Sequence, residues 1–233
     1  MNVELFNHGL QVLGDTAASQ QLEQFKIYAQ LLVEWNQKMN LTAITDADGI
    51  AQKHFLDSIL PLYYVDIPQG TRVADVGTGA GFPGLPVKIM RPDLSLTLMD
   101  ALNKRITFLK TVVAAIGVDD VLCIHGRAEE FGKKKEFREQ YDFVLSRAVA
   151  NLRVLCEYCL PFIKVGGRFI ALKADGVDEE VNAARPMIGT LGGKLEKVID
   201  APLPGTEIVR KLVVIKKEKS TPPQFPRRPN KIQ

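Results

Sequence analysis

The stretch Thr71 to Pro86, T-R-V-A-D-V-G-T-G-A-G-F-P-G-L-P, limits the possible folds of this 233-residue chain more tightly than any other. Its first half, Thr71 to Val76, is short, apolar and rich in β-branched residues, and it opens just after Pro68-Gln69-Gly70. That pattern predicts a buried parallel strand with a turn in front of it. Its second half places Gly77, Gly79, Gly81 and Gly84 close together, and Pro83 to Met90 then has the build of a helix with proline in its first turn. A strand that turns through glycines into a helix gathers main-chain N–H groups at one point. The missing side chains let a ligand come close to the backbone.

Two ligand classes use such a turn. Gly79-Ala80-Gly81-Phe82-Pro83-Gly84 fits the dinucleotide fingerprint G-x-G-x-x-G, but this frame starts several residues after the strand ends. Pro83 also removes a donor where a pyrophosphate needs one. The other frame, Asp75-Val76-Gly77-Thr78-Gly79-Ala80-Gly81, reads acidic-x-G-x-G-x-G. It resembles the first motif of the class I S-adenosylmethionine methyltransferases, in which the carboxylate faces the ammonium end of the cofactor. A carboxylate there suits a cationic ligand and repels a diphosphate.

Length and composition bound the rest. The chain is long enough for one domain with an extension, and 46% hydrophobic with 24% charged residues is ordinary for a soluble globular protein. Met1-Asn2-Val3-Glu4 lacks the build of a signal peptide and no apolar run reaches membrane-spanning length, so the expected location is cytoplasmic, with no membrane partner. Cys123, Cys156 and Cys159 make no disulfide framework; Cys156 and Cys159 fall in an apolar helical run and read as a buried reduced pair rather than a metal site. Residues 208–233 hold eight basic side chains against Glu218 alone, +7, leaving 22 basic against 26 acidic, −4, elsewhere. That asymmetry points to a polyanion held at one side of a site, with those basic residues past Lys219 in an extended Pro-rich tail outside the core.

In chain order, residues 3–13 and 19–39 have helical periodicity, the latter through Leu22, Phe25, Tyr28, Trp35 and Met39. Asp48 to Leu60 reads as another helix, with His54 and Asp57 on one face. The apolar strand Leu94 to Met99 ends at Asp100, an acidic residue placed about where ribose hydroxyls are held. Helix Asn103–Ile116 and strand Val121–His125 follow, and then residues 132–140 as a charged connector. Strand Tyr141–Leu145 delivers Ser146-Arg147-Ala148-Val149 to the sheet's carboxyl edge. Helix 152–163, a Gly166-Gly167 turn and strand 168–172 place Lys173 at the same edge. A helix from Asp178 and strands 193–201 and 207–216, the last antiparallel, complete an α/β sheet. The division expected is a helical extension over 1–66, an α/β domain over 67–219 and a basic tail over 220–233.

The motifs together, D-V-G-T-G-A-G-F-P-G-L-P, N-L-T at 40–42, K-H-F-L-D-S at 53–58, A-E at 128–129, S-R-A at 146–148 and R-K-L-V-V-I-K near the end, resemble the RsmG (GidB, glucose-inhibited division protein B) family across nearly the whole chain. The resemblance implies a class I, Rossmann-like, seven-stranded, mostly parallel sheet with an N-terminal helical extension. It also implies methylation of N7 of one guanine in 16S ribosomal RNA, in the small ribosomal subunit or its assembly intermediate, with S-adenosyl-L-methionine as cofactor and no metal. The cofactor contacts implied are Gly77, Gly79, Phe82, Asp100, Ala128, Glu129 and Arg147, with Asp100 on the ribose and the Ala128–Glu129 loop on adenine. Phe225-Pro226-Arg227-Arg228-Pro229-Asn230-Lys231 departs from the family by looking shortened.

The absences agree with that acceptor. The chain has no Asp/Asn-Pro-Pro-aromatic motif for an exocyclic amine and no Pro-Cys nucleophile for pyrimidine carbon 5. Guanine N7 carries its own lone pair, so alignment and charge handling suffice. His54, Asp57, Arg147 and Lys173, together with Asn40, are the candidates for the guanine pocket, none as a general base. The competing readings are a small-molecule methyltransferase, a non-catalytic ribosomal RNA-binding assembly factor, and an NAD-dependent oxidoreductase, which Asp75 and Pro83 disfavour.

Overall fold

The computed structural model describes residues 1–147 and 150–232; Ala148, Val149 and Gln233, within the S-R-A motif and the tail, lie outside the described residues. Two helices, α1 (Val3–Val12) and α2 (Ser19–Met39), precede the sheet. Phe25, Tyr28, Ala29 and Leu32 bury one stripe of α2, as the three- and four-residue spacing predicts. Asn40 caps its end in the left-handed conformation, φ 48°. Asp46 accepts from Gly49 N and starts the next helical stretch at Ala47, one residue before the expected Asp48. This stretch is α3 (Ala47–Gly49), a π-helix (Ile50–Leu56), α4 (Asp57–Ile59) and α5 (Pro61–Tyr64).

The α/β unit follows: β1 (Arg72–Val76), α6 (Gly84–Met90), β2 (Ser95–Asp100), α7 (Asn103–Ile116), β3 (Val121–His125), α8 (Ala128–Phe131), β4 (Tyr141–Arg147), α9 (Leu152–Cys159), β5 (Ile163–Lys173), α10 (Asp178–Thr190), β6 (Gly193–Pro202) and β7 (Val209–Lys217). The seven strands are ordered β3-β2-β1-β4-β5-β7-β6. All pairs are parallel except those of β7, which runs antiparallel between β5 and β6. The order reverses between β1 and β4, so a crevice opens at the carboxyl ends of those two strands.

Apolar cores lie on both faces. Phe6, Phe25, Tyr28 and Phe55 of the leading helices share one with Leu85, Leu98 and Phe108. The other collects Leu155, Cys156, Cys159, Phe162 and Ile188. Cys156 and Cys159 are free thiols there, and burial pushes both up, away from reactivity.

Two expectations fail locally. Gly166-Gly167 is no turn between helix and strand: α9 stops at Cys159, and β5 starts at Ile163 and carries both glycines. The register jumps from Tyr141↔Ile163 to Phe143↔Arg168, and a Cβ on Gly167 would fall 2.5 Å from Asp142 O, so the glycines are a bulge pressed against β4. Nor is the tail outside the core. Thr221, Phe225 and Ile232 are buried, and the connector expected as merely charged is its dock: the Arg138 guanidinium donates to the carbonyls of Thr221, Pro222 and Phe225, while Glu139 accepts from Thr221 N.

Candidate functional site

Where β1 ends, the Gly77 and Thr78 amides both donate to Met99 O, carrying the strand pairing one step into the loop. Gly77 then turns at φ 73° and Gly79 at φ 62°, conformations open to glycine. Asp75 lies beneath this turn. One of its oxygens accepts from Thr78 Oγ1 at 2.7 Å and from Gly84 N at 2.8 Å, which fastens loop and α6 to the strand. Expected to face a cationic ligand, Asp75 is instead fully buried, and burial raises its pKa to about 6. Its Oδ1 and Glu129 Oε1 are the buried side-chain oxygens without a hydrogen-bond partner among the described residues.

Asp100 closes the other side of the loop. It accepts from Gly79 N (3.0 Å), Leu102 N (2.9 Å) and Arg105 (3.2 Å), leaving part of its acceptor capacity facing the crevice. Gly77, Gly79, Phe82, Asp100, His54 and Arg147 line one cavity of about 490 Å³, within the size range of nucleotide sites. Ala128 and Glu129 come from the loop after β3, tied to Asp100 by Gly126 N donating to Asp100 O at 3.0 Å. Glu129 faces a neighbouring hollow shared with the tail rather than the main cavity. A further hollow, about 540 Å³, lies at the opposite edge of the sheet, where Arg168 pairs with Glu196 at 2.6 Å, away from all these groups.

Arg147 is the hinge of the site. Its guanidinium donates to Asp57 Oδ2 (2.8 Å) and Lys53 O (3.1 Å), reaches His54 Nδ1 (3.4 Å) and lies 4.9 Å above the Phe82 ring. His54 stacks on Phe82, ring centroids 4.5 Å apart and planes 12° from parallel. Arginine can only donate, so His54 Nδ1 accepts and Nε2–H donates to Thr42 Oγ1 at 2.7 Å. Burial, with Arg147 adding to it, holds the His54 pKa down at about 4, so the imidazole is neutral at ordinary pH. Asp57, without solvent exposure, receives a second arginine, Arg210, at 2.6 Å. On the far side of Arg147 and His54 lies a second cavity of about 460 Å³, lined also by Asp57, Lys173 and Arg210. Lys173 donates there to Ala150 O (2.7 Å) and pairs with Glu180 (2.6 Å).

The structure thus brings Gly77, Gly79, Phe82, Asp100, His54 and Arg147 together around one cavity, and Asp57 and Lys173 around the next. Asn40 lines neither; it is an exposed helix cap, and Leu41 and Thr42 take the wall position expected of it. Arg210, one of the eight basic residues near the end of the chain, is an ion-pair partner of Asp57 rather than a free cation. It lies 153 residues from Asp57, and only the antiparallel return of β7 beside β5 brings it there. Lys211 pairs with Asp200, Lys217 is buried against Leu160 O, and Arg227 holds Glu157. Of the eight basic side chains that suggested a polyanion contact, Lys216, Lys219, Arg228 and Lys231 stay exposed. The described residues contain no cluster of three or more metal-ligating side chains, and no helix among them is long and apolar enough to cross a membrane.

Comparison with known proteins bears on the fold and the family. The solved structure of TrmN from Thermus thermophilus superposes with a TM-score of 0.53 at 19% identity, covering 72% of this chain and 53% of that one. M. jannaschii TYW2, solved in complex with AdoMet, gives 0.55 at 12% identity, covering 75% and 79%. At these identities the likeness establishes the class I methyltransferase fold. The ribosomal RNA small subunit methyltransferase G of Bacillus subtilis is 49% identical over 98% of this chain and 96% of its own. The Clostridium novyi enzyme of the same name is 50% identical over 88% and 85%. With a family model matching residues 21–204 as well, the chain belongs to the GidB family, rRNA small subunit methyltransferase G.

Proposed function

We propose that the protein transfers the methyl group of S-adenosyl-L-methionine to N7 of a guanine in 16S ribosomal RNA, acting in the cytoplasm on the small ribosomal subunit or its assembly intermediate. The observation that carries this reading is the pair of cavities meeting at His54 and Arg147. One is a glycine-turn cavity of nucleotide size, and the other is large enough for a base and walled by cationic donors.

The groups present fit the cofactor. The turn at Gly77 and Gly79 offers backbone without side chains, and Asp100 offers a carboxylate suited to a ribose diol. Glu129 Oε1, buried, 3.7 Å from the Arg127 guanidinium and without a hydrogen bond, is an acceptor for an amino group such as that of adenine, with the Ala128 N–H as the complementary donor. The cofactor, when bound, supplies an electrophilic methyl on a sulfonium.

The chain's own work is positioning. Guanine N7 needs no proton removed, and His54, neutral and already donating to Thr42, has no such task. Phe82, stacked between Tyr28 (5.6 Å, 21°) and His54, gives a rigid wall at the junction. Asp57 neutralises Arg147 and Arg210 and fixes their directions. Arg147 and Lys173 are placed to meet the acceptor guanine. Residues 1–66 serve in this reading as a helical extension that supplies the wall from Thr42 to Asp57, 67–219 as the transferase domain, and 220–233 as a separate C-terminal segment.

Titration calorimetry tests the cofactor half. S-Adenosylmethionine is expected to bind with one site per chain, and NAD to give no heat, because Pro83, just before α6, removes an N–H where a pyrophosphate needs a donor. Tight NAD binding with silence toward S-adenosylmethionine would overturn the reading.

A further inference from the structure

The last few residues of a domain ordinarily fray. Here residues 221–227 are held at three levels. Phe225 is buried in the same core that Ala128 and Phe131 of α8 pack against. The Arg227 guanidinium grips Glu157 of α9 through Nε (2.9 Å) and Nη2 (2.7 Å), and the Arg227 amide donates to the same carboxylate at 2.7 Å. Glu157 is wholly buried, so Arg227 is the partner that makes its charge tolerable.

The third level reaches the cofactor side. Arg138 Nη1 donates at 2.8 Å to Phe225 O and equally to Gly132 O, so one guanidinium nitrogen joins the tail to the residue that ends α8. Gly132 N in turn donates to Ala128 O at 2.8 Å. Pro226 lies directly on Gly132: a Cβ there would fall 3.1 Å from Pro226 Cγ. Glu129, Arg227 and Arg228 face one hollow of about 530 Å³. The tail therefore packs against the short turn that carries Ala128 and Glu129, with Glu129 on the side that faces the tail.

We propose that residues 221–227 are a strap that sets the position of the Ala128–Glu129 turn, with Arg227 and Phe225 as positioning residues for recognition of the cofactor's adenine. The proposal rests on the reading that this turn, with the Glu129 carboxylate, contacts adenine. It assigns the C-terminal segment to cofactor selection, whereas its composition alone suggested phosphate contacts. Adenine presents an amino donor at C6 and an acceptor at N1; hypoxanthine inverts both. A correctly held Glu129 and Ala128 N–H must therefore prefer the first, and a displaced turn loses that preference.

The test measures dissociation constants for S-adenosylhomocysteine and S-inosylhomocysteine on the full-length parent, Arg227→Ala and Arg227→Lys, with circular dichroism confirming the folded state. The parent is expected to prefer S-adenosylhomocysteine by at least about tenfold, the scale of one hydrogen bond to a charged group. Arg227→Ala should bind S-adenosylhomocysteine about tenfold more weakly and S-inosylhomocysteine almost unchanged, so the preference collapses; Arg227→Lys, which keeps a cation for Glu157, should recover part of it. Should the alanine variant not fold, the lysine variant decides: a reduced preference supports the strap and an undiminished one overturns it. A folded Arg227→Ala protein with the parent's preference would likewise overturn the strap, including when its RNA affinity falls, which would make the segment an RNA contact. A parent that does not distinguish the two ligands would instead overturn the assignment of Glu129 to adenine.

Discussion

Arg147→Ala is expected to slow methyl transfer to small-subunit ribosomal RNA by at least about a hundredfold, the scale on which misplacing a reacting group costs rate. Arg147 is the side chain common to both cavities, along with His54, and it touches the aromatic wall between them. Its loss leaves Asp57, fully buried, with Arg210 alone, and leaves His54 Nδ1 without its donor. Breaking a buried pair costs about 3–5 kcal/mol, and the remaining arginine keeps the expected loss of stability toward the low end. Single-turnover rates and urea midpoints on the same preparations separate the two effects. A folded variant whose rate stays within about tenfold of the parent's would show that Arg147 only braces the helix at Asp57.

Gly77→Val is expected to remove measurable cofactor binding while the protein remains folded. At φ 73° a β-branched residue is strained by roughly 1–2 kcal/mol, which a domain of this size tolerates. The added methyl groups stand where the cavity floor must be bare backbone. Gly84→Val is the contrasting case. A Cβ there would lie 2.8 Å from both Asp75 Cβ and Leu98 Cδ2, so its damage falls on the packing of α6 against β1 and β2, and stability drops first. Calorimetry with S-adenosylmethionine and thermal unfolding of both variants check the division. Retained affinity in folded Gly77→Val would mean the loop merely joins strand to helix.

The sheet was legible because its strands are short apolar runs punctuated by glycine and proline, and β1, β2, β4 and β5 are each followed by a helix. Local signals also placed Gly77, Phe82 and Asp100, since the loop and the next strand's end are fixed by the β1–β2 pairing alone. What failed depended on distant contacts. Nothing near Arg210 or Arg227 distinguishes a buried ion-pair partner from a solvated cation; Asp57 and Glu157, 153 and 70 residues away, decide it. Asn40 and Thr42 sit in one polar turn, and only the left-handed cap geometry tells which faces the cavity. Gly166-Gly167 reads as a turn because a bulge uses the same residues; the close pass of Asp142 O makes it a strand. The burial of Asp75 beneath its own loop is likewise a packing result, set by Thr78 and Gly84.

Methylation of guanine N7 in small-subunit ribosomal RNA by this chain can be read on 16S RNA from the parent strain and from one lacking the protein. Borohydride reduction and aniline treatment cut RNA at N7-methylguanosine, and primer extension maps the cut. The expected result is one cut in the parent RNA that is absent without the protein, restored by the parent chain and not by Gly77→Val. An identical pattern of cuts in the two strains would contradict the assignment.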